Sequence, residues 1–402
     1  MALTIINQPQ KFSPAYNDLI FVVDSTNKAQ TNFKYIGDLY FAGSSTPDAR
    51  IKLFPRPDGY GVFNFKDVVK SYVNTDIAIT ASPNEGFKQN TNSYKAFTVQ
   101  FGEEYGTIPI LTANLATSGT IYAHNSIVDF LDFQNYNQTA HLLAAATTRK
   151  FLTDSPATKT IRSTESEWLY FMTDTSGTCY KAVIGTSTDN GLNYSYSDAF
   201  VNSFQAVTAA NDRFVRIPSG IANINKAGAT YISGSVTNYK IYLASFNSVA
   251  TSETKTFNVE NVCTQHTVYR FHFLNKWGGF DSFSFIRRAN KSTSVARTKF
   301  KKLVGTLTSG VWGYNKSDRG DINFSTTLKD KITVNSDWIT EIEQTWLEQL
   351  ITSPEVYQEI DSELIAVNIL NSTYETKVKV DTKLFNIILE FEYSYNRYRQ
   401  TY

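Results

Sequence analysis

Residues 268–288 read VYRFHFLNKWGGFDSFSFIRR, two alternating runs separated by a short loop that contains the pair Gly278-Gly279. In the first run three aromatic residues alternate with Arg270 and His272, and in the second run phenylalanine alternates with serine. A period of two is typical of β-strands, and glycine supplies the positive φ that tight turns need. The stretch therefore predicts a β-hairpin. The glycines either turn the chain or cradle a ligand, and the local pattern favours the turn.

The rest of the chain has the same bias toward strands. It contains 28 Phe and 24 Tyr but only 2 Met in 402 residues, and 42% of its residues are hydrophobic. Aromatic and β-branched side chains fit a pleated, half-buried surface. We expect a mainly β protein of several β-sandwich domains, immunoglobulin- or fibronectin-like, with one or two short helices.

The charge balance argues against nucleic acid as a partner. Lys and Arg number 38 against 37 Asp and Glu, so the formal net charge is +1. Proteins that bind nucleic acid need a surplus of cations for the phosphates. One basic run does occur, and we interpret it as a solvated strand edge, since charge on an edge strand discourages unwanted pairing. Its members are Arg287, Arg288, Lys291, Arg297, Lys299, Lys301 and Lys302.

Cysteine content and hydropathy suggest folding in a reducing compartment without a membrane. Cys179 and Cys263 are too few for a disulfide framework, although a single bridge between them stays open. The first residues lack the basic start and apolar core of a signal peptide, and no segment approaches the ~18 apolar residues needed to span a bilayer. We expect a soluble protein made in a cytoplasm.

Pattern changes divide the chain into three expected domains. Residues 1–105 contain short strand-like runs and a helical spacing from about Lys66, which predict a β-sandwich with one short helix. Residues 106–260 contain further short strands separated by turn signals such as Asp189-Asn190-Gly191, typical of a second β domain. Residues 261–402 combine the hairpin with an α+β module.

One longer helix is expected in this last module. Asn335 or Ser336 is the predicted N-cap, and Pro354 should end the helix near residue 352. The apolar face is predicted from the spacing of Ile339, Ile342, Trp346 and Leu350. Strands are expected after it, at 356–360, 364–370, 374–380 and 384–393. The ending YSYNRYRQTY is either an exposed strand or an extension that orders against a neighbouring subunit.

No catalytic, cofactor or metal motif stands out. Cys263 and His266 form a C-x-x-H pair with His272 further on, but structural zinc needs four ligands and a second cysteine pair is missing, so a buried thiol beside a strand histidine is favoured. The start of a G-x-G-x-x-G motif at Gly59 fails at Asn64. We therefore expect no cofactor and no metal.

Acidic residues give no clearer signal. Residues 315–320, NKSDRG, resemble the start of a calcium loop, but Thr326 stands where a bidentate glutamate is required, so a polar hairpin loop is favoured. The pairs Glu103-Glu104 and Glu341/Glu343 have no partner that the sequence places in a cleft. An enzyme is not expected, although glycosidase carboxylates can lie far apart in a sequence.

Both ends of the chain resemble a known group of proteins. QPQKFSPAYNDLIFVV, NFKYIGDLYF and PRPDGYGVFNFKDVVKSYV near the N-terminus, CTQHTVYRFHFLNKWGGFDSFSF, and WLEQLITSPEVYQEIDSELIAVNILNSTYETKVKVDTKLFNIILEFEYS carry the resemblance. They are similar to virion neck and tail proteins of phages that infect Bacteroidetes, most of all the ring-forming structural proteins below the portal of crAss-like phages. The resemblance does not extend over much of residues 106–260.

The resemblance implies a non-enzymatic virion subunit, assembled in the host cytoplasm, that forms a ring around the tail axis. Its partners would be copies of itself and other neck and tail proteins, and it could also assemble only on those neighbours. A fibre-attachment or receptor-binding tail protein is the alternative, and a β-sandwich glycosidase is a third. Ring contacts need aromatic anchors and paired sheet edges. The candidate interface residues are Trp277, Phe280, Tyr393, Tyr395, Arg397, Tyr398, Arg399 and Tyr402. Trp277 and Phe280 could instead cap the core of their own domain.

Overall fold

The structure, a computed structural model, describes residues 3–77, 86–144, 146–174, 181–201, 213–227, 230–260, 265–371 and 386–399. The protein is mainly β with a few short helices, as expected from its composition. It divides into two compact units, Met1–Val262 with Leu274–Asp281, and Cys263–Phe273 with Ser282–Tyr402. The finer division into three domains stays a prediction.

The first unit begins with a β-sandwich. The elements of this part of the chain, in order, are β1 Leu3–Asn7, β2 Phe12–Pro14, β3 Ile20–Ser25, β4 Lys34–Phe41, β5 Ala49–Leu53, β6 Gly61–Asn64, α1 Lys66–Val69 with a 3₁₀ turn Lys70–Tyr72, β7 Lys88–Gln89, β8 Tyr94–Tyr105, β9 Ile110–Thr117, β10 Ile121–His124, α2 Phe130–Phe133 and a 3₁₀ turn Gln138–Ala140. All of these strands except β7 belong to the sandwich. In the described part of the chain, one sheet has the order β1-β3-β6 and the other β2-β10-β8-β4-β5, with β9 beside β8.

The two sheets of this sandwich share one core. Phe21 and Phe63 from the smaller sheet and Phe97 and Phe101 from the larger sheet are almost completely buried and belong to one apolar cluster. The alternation of strand residues places these rings on the inner faces. Val69 of α1 joins the same cluster, which confirms the predicted short helix. β9 and β10 complete the larger sheet, so the sandwich continues past residue 105.

The remainder of the first unit contains two further sheets. Its elements are β11 Thr158–Ile161, β12 Trp168–Met172, β13 Lys181–Ser187, β14 Ser195–Val201, β15 Phe214–Pro218, α3 Ile221–Ala227, β16 Asn238–Ala244 and β17 Lys255–Val259. Among the described strands the orders are β11-β17-β16-β13-β14 and β12-β15-β7. Asn190 and Gly191 both have positive φ, which confirms the turn predicted between β13 and β14.

The second unit is one large sheet with a helix, the α+β module expected from the sequence. Its elements are β18 Tyr269–Leu274, β19 Phe280–Phe285, β20 Asn290–Lys301, β21 Thr306–Thr308, β22 Val311–Gly313, β23 Asp321–Asn335, α4 Glu341–Thr352, β24 Val356–Ile360, β25 Glu363–Ile369, β26 Ile388–Tyr393 and β27 Arg397–Tyr398. In the described residues the order is β19-β18-β24-β25-β26-β23-β20, and β21 pairs with β22. The strand predicted at 374–380 lies outside the described residues.

Helix α4 begins later than predicted. Its N-cap is Thr340, whose hydroxyl accepts a hydrogen bond from the backbone N–H of Glu343, while the Glu343 carboxylate accepts one from the N–H of Thr340. The predicted caps are wrong because Asn335 still belongs to β23 and the Ser336 hydroxyl accepts from the N–H of Ile387. The end at Thr352 is as predicted.

The buried face of α4 also differs from the predicted one. Trp346, Leu347 and Leu350 are buried against the sheet, whereas Ile342 is 66% exposed. The buried stripe is centred between Trp346 and Leu347, and a helix of about 3.6 residues per turn then carries Ile342 to the edge of that stripe. The predicted contribution of Ile342 to the core is therefore wrong.

Candidate assembly surfaces

The glycine pair turns the chain, as the local pattern predicted. Gly278 has φ of +86°, its N–H donates to the carbonyl of Asn275, and the N–H of Asn275 donates to the carbonyl of Gly279. The side-chain oxygen of Asn275 accepts from the N–H groups of Trp277 and Gly279 at 2.9 and 3.1 Å. The loop is thus held by its own asparagine, and the carbonyl of Lys276 accepts a further hydrogen bond from the N–H of Ile127 at 2.9 Å.

The same glycines are also required by packing inside the first unit. A Cβ atom on Gly278 would lie 2.1 Å from the carbonyl oxygen of Asn125, and one on Gly279 would lie 2.7 Å from the ring of Tyr170. Side chains at either position would collide with these groups. The space beside the glycines is therefore filled by protein, so the turn interpretation holds and a cradle for a ligand does not.

Two of the predicted interface residues lie in this loop or directly after it, Trp277 in the loop and Phe280 at the start of β19. Phe280 is 3% exposed, so its ring packs inside the protein. Trp277 is half-buried, its indole N–H donates to Asp154 at 3.0 Å, and its ring centre lies 4.2 Å from that of His141. Both residues are placed as the core-capping alternative expects. A role in subunit contacts stays a prediction, and Phe280 offers little surface for it.

The residues weighed for zinc are only partly described by the structure. Cys179 and Cys263 lie outside the described residues, and His266 is exposed. Within the described ranges no group of three His, Cys, Asp or Glu side chains could hold a metal ion. His272 is instead engaged on the sheet of the second unit, where its Nε2 lies 2.9 Å from Glu359.

Sequence reasoning missed the arrangement around His272. The Ser282 hydroxyl lies 2.8 Å from Nδ1 of His272, and Glu359 lies at the other ring nitrogen, so the three residues have the order of a hydrolase triad. A catalytic triad needs a solvent-accessible serine beside an oxyanion site. Ser282 is 1% exposed, so a substrate carbonyl could not reach its hydroxyl in this conformation. The arrangement fits a structural cross-strand network better than a nucleophile.

The described part of the second unit contains a long, exposed hairpin that we call the β-arm (residues 290–335). β20 pairs with β23 from Asn290↔Thr333 to Lys301↔Asp321, and every residue of β20 is exposed. β26 pairs only with residues 331–335 and β27 only with residues 327–328, so in the described structure the outer part of the β-arm is two-stranded. β20 is also the last strand of the sheet, which confirms the predicted solvated edge.

The end of the β-arm, which we call the arm tip (residues 297–324), combines apolar and basic side chains. Ile322 is buried there opposite Phe300 in the strand register, and the ring centres of Phe300 and Phe324 lie 6.5 Å apart. The arm tip contains six Lys or Arg and two Asp, a net charge of 6 − 2 = +4. Its exposed apolar residues are Phe300 41%, Leu303 75%, Val304 37%, Leu307 62%, Val311 70%, Trp312 40%, Tyr314 74% and Phe324 51%. The predicted polar loop at 315–320 lies within it.

The aromatic C-terminal segment lies along the β-arm as an exposed strand, one of its two expected forms. β27 pairs with residues 327–328 of β23, and the N–H of Arg399 donates to the carbonyl of Thr326. Tyr395 is 52% exposed and stacks on the half-buried Tyr393 with ring centres 5.5 Å apart, and Tyr398 is 69% exposed. Tyr402 lies outside the described residues. The interface role predicted for this segment stays a prediction.

Asp330 joins the β-arm to the C-terminal segment. Its carboxylate accepts from Thr293 at 2.8 Å and from Arg397 at 2.6 Å, and Lys291 lies at 3.2 Å. Burial by itself would raise the pKa of the Asp330 carboxyl, but these hydrogen bonds and cations outweigh burial and hold the pKa below its usual value of 3.8. Asp330 therefore stays ionised at neutral pH and pairs with both cations.

A second exposed apolar surface, which we call the α2 patch (residues 127–136), belongs to the first unit. Phe130 is 76% exposed, Leu131 75% and Ile127 56%, and the neighbouring Asp129 and Asp132 are also exposed. The segment contains two acidic residues and no Lys or Arg, a net charge of −2. The sequence does not predict this exposure, because a helix of four residues has no readable hydrophobic period.

The α2 patch is firmly attached although its apolar side chains face solvent. The amide of Asn17 exchanges two hydrogen bonds with the backbone of Val128, at 2.7 and 2.8 Å. The Tyr136 hydroxyl donates to the carbonyl of Phe12 at 3.0 Å, and Gln10 donates to the carbonyl of Tyr136 at 2.7 Å. Exposed apolar side chains on a held backbone are typical of a binding surface.

An open cleft of about 710 Å³ lies beside the α2 patch within the first unit. Its lining includes Tyr16, Asp18, Asp129, Phe130, Phe133 and Tyr136. Lys66 also borders the cleft and lies 3.7 Å from Asp18, so its charge is partly offset there. A concave surface with aromatic walls and a few polar groups suits a large side chain from a partner.

Comparisons with known proteins do not assign a family. No family model and no curated protein matches the chain. Two solved structures of Escherichia coli alpha-2-macroglobulin, the trypsin-activated form and the native conformation, are 8% identical to it. They cover 96% and 82% of this chain with TM-scores of 0.20 and 0.19, and the chain spans 21% of the length of each. Likeness at this level carries no argument about function. In the described residues, no helix is long and apolar enough to cross a membrane.

Proposed function

We propose that this chain is a non-enzymatic structural subunit of a bacteriophage virion, one that forms a ring in the neck or tail around the tail axis. The observation that carries the proposal is the β-arm. A two-stranded hairpin is marginally stable in water by itself, and this one displays a cluster of large apolar side chains at its end. Such a feature gains stability by docking on another protein.

The placement of this subunit in a phage neck or tail rests on the sequence resemblance at both ends of the chain. The expected partners are copies of the chain and other neck and tail proteins. Near-neutral net charge and polar strand surfaces suit a subunit that packs against neighbours. The buried Ser282 is compatible with a non-enzymatic role.

A fibre-attachment or receptor-binding protein is the alternative. Exposed aromatic side chains on a protruding hairpin, such as Trp312 and Tyr314, would also suit contact with a receptor. The two functions differ in stoichiometry. A ring needs many copies in head-to-tail contact, whereas a receptor binder of this kind is expected to form trimers with a protruding tip.

Light scattering and negative-stain imaging of the purified chain test the proposal. We expect closed rings of many subunits at high concentration. The matched variant replaces residues 303–319 with Asn-Gly, a two-residue turn that lets Lys302 and Gly320 keep their backbone hydrogen bond. This variant should stay monomeric with the same thermal stability. Stable trimers of the unchanged chain would favour the receptor-binding alternative. Equal assembly of the unchanged and the shortened chain would exclude the β-arm as the basis of assembly.

A further inference from the structure

We propose that the arm tip of one copy docks on the α2 patch and its cleft on a second copy. This inference rests on the proposed self-assembly and names the two surfaces that would meet. The arm tip has a net charge of +4 and the α2 patch −2, so the surfaces attract each other. Both also display apolar side chains that an interface would remove from water.

The shapes of the two surfaces agree with this pairing. The arm tip is the end of a two-stranded hairpin on which Trp312 and Tyr314 are exposed. The α2 patch borders a concave cleft with aromatic walls. Aromatic residues that fill a pocket are the usual centres of binding energy in interfaces, and charged residues at the rim add steering and selectivity.

Pairing of two β-arms with each other is less favourable. β20 offers an open edge, but Arg297, Lys299 and Lys301 lie along it, and a two-fold pairing centred on Lys299 would set each of them opposite a basic residue of the second copy. Like charges on facing strands repel. The contact that remains is between different surfaces of identical chains. Such a contact leaves each copy with a free arm tip and a free α2 patch, so it continues into a closed ring or a filament.

Two variants test the arm tip and the α2 patch separately. The arm variant is Trp312→Ala with Lys299→Glu and Lys301→Glu, and the patch variant is Phe130→Ala with Asp129→Lys and Asp132→Lys. Each should raise the concentration for half-assembly at least about 30-fold, the loss expected for a central interface residue. Glu348→Lys with Glu363→Lys reverses two exposed charges elsewhere and should leave assembly unchanged. Circular dichroism checks that all variants fold.

The decisive experiment mixes the arm variant with the patch variant in equal amounts. Each copy then retains one intact surface, so one arm tip meets one α2 patch and the product should be a dimer with one copy of each variant. Dimers of this composition, with each variant alone monomeric, are the expected result. Mass measurement by light scattering or analytical ultracentrifugation reports it directly.

Other outcomes distinguish the inference from the proposed function. If the unchanged chain forms rings and both variants still form them, the docking inference is wrong and the ring function stands. If the unchanged chain is monomeric at every concentration, self-assembly itself fails and the inference fails with it. A DNA-binding assay with duplex DNA tests one more outcome. If the arm variant loses DNA binding, and the patch variant matches the unchanged chain in both DNA binding and assembly, the arm tip binds nucleic acid and the inference is overturned.

Discussion

The carboxylate of Asp330 accepts a hydrogen bond of 2.6 Å from the guanidinium of Arg397, which lies 67 residues later in the chain. Asp330 belongs to β23, and Arg397 belongs to β27, so this contact fastens the C-terminal segment to the β-arm. The same carboxylate accepts from Thr293 of β20. One buried acid thus connects three strands where the two-stranded part of the hairpin begins.

Replacement of this acid should release the C-terminal segment. Asp330→Asn removes the charge that both Lys291 and Arg397 face, and we expect a loss of about 1–2 kcal/mol because both cations are half exposed. Trypsin should then cleave after Arg397 sooner than in the unchanged chain. The free energy of unfolding from a denaturant titration and a timed digest measure the two effects.

Glu392 provides the control for this variant. It accepts a hydrogen bond of 2.7 Å from Lys329, an ion pair between β26 and β23 that does not involve the C-terminal segment. Glu392→Gln should leave cleavage after Arg397 at the original rate. Equal acceleration by both variants would mean that general loosening of the sheet, and not the Asp330 contact, exposes the segment.

Local sequence patterns predicted the elements that depend on residues close together in the chain. Alternation and glycine predicted the hairpin around Gly278, and Pro354 predicted the end of α4. The start of α4 was missed because β23 continues through Asn335 by pairing with Ile388, a contact between residues far apart in the chain. Thr340 and Glu343 satisfy the capping-box pattern, but the competing signal at Ser336 could not be dismissed without knowledge of that pairing.

The candidate surfaces were harder to predict than the fold. The basic run suggested an exposed strand, and β20 is one. Nothing in the sequence showed that Phe300 and Trp312 lie exposed at the end of a hairpin, since apolar strand residues are usually buried. Phe130 and Leu131 lie in a four-residue helix whose exposure depends on tertiary contacts. Exposure of apolar residues therefore had to come from the structure.

Two glycines with nearly the same positive φ allow the cost of backbone strain to be measured apart from the cost of close packing. Gly278 and Gly310 have φ of +86° and +83°, but a Cβ would meet the carbonyl of Asn125 at 2.1 Å in the first case and nothing within 4 Å in the second. We expect Gly310→Ala to cost about 1 kcal/mol from the positive φ alone, and Gly278→Ala to cost about 3 kcal/mol or more. Denaturant titration measures both. Equal costs would contradict the close approach to Asn125.

The Ser282–His272–Glu359 network should not act as a nucleophile. Because Ser282 is 1% exposed, a fluorophosphonate probe that labels activated serines is expected to leave the folded chain unmodified. Ser282→Ala should instead lower the free energy of unfolding by about 1 kcal/mol through loss of the hydrogen bond to His272. Labelling of the unchanged chain that is absent in Ser282→Ala would restore an enzymatic interpretation.

A buried histidine should make the first unit sensitive to acid. His124 is fully buried against Phe214, and burial lowers its pKa from 6.5 to about 3. Below pH 6.5, His124 therefore binds a proton in the unfolded chain but not in the folded chain. The free energy of unfolding then decreases as pH falls from 6.5 toward 3. His124 should contribute about 1.4 kcal/mol per pH unit to the slope of the free energy of unfolding against pH in this range.

Denaturant titrations of His124→Phe between about pH 6 and 4.5 should show a slope lower by that amount. The exposed His266→Gln should keep the original slope, and an unchanged slope in His124→Phe would place the acid sensitivity elsewhere.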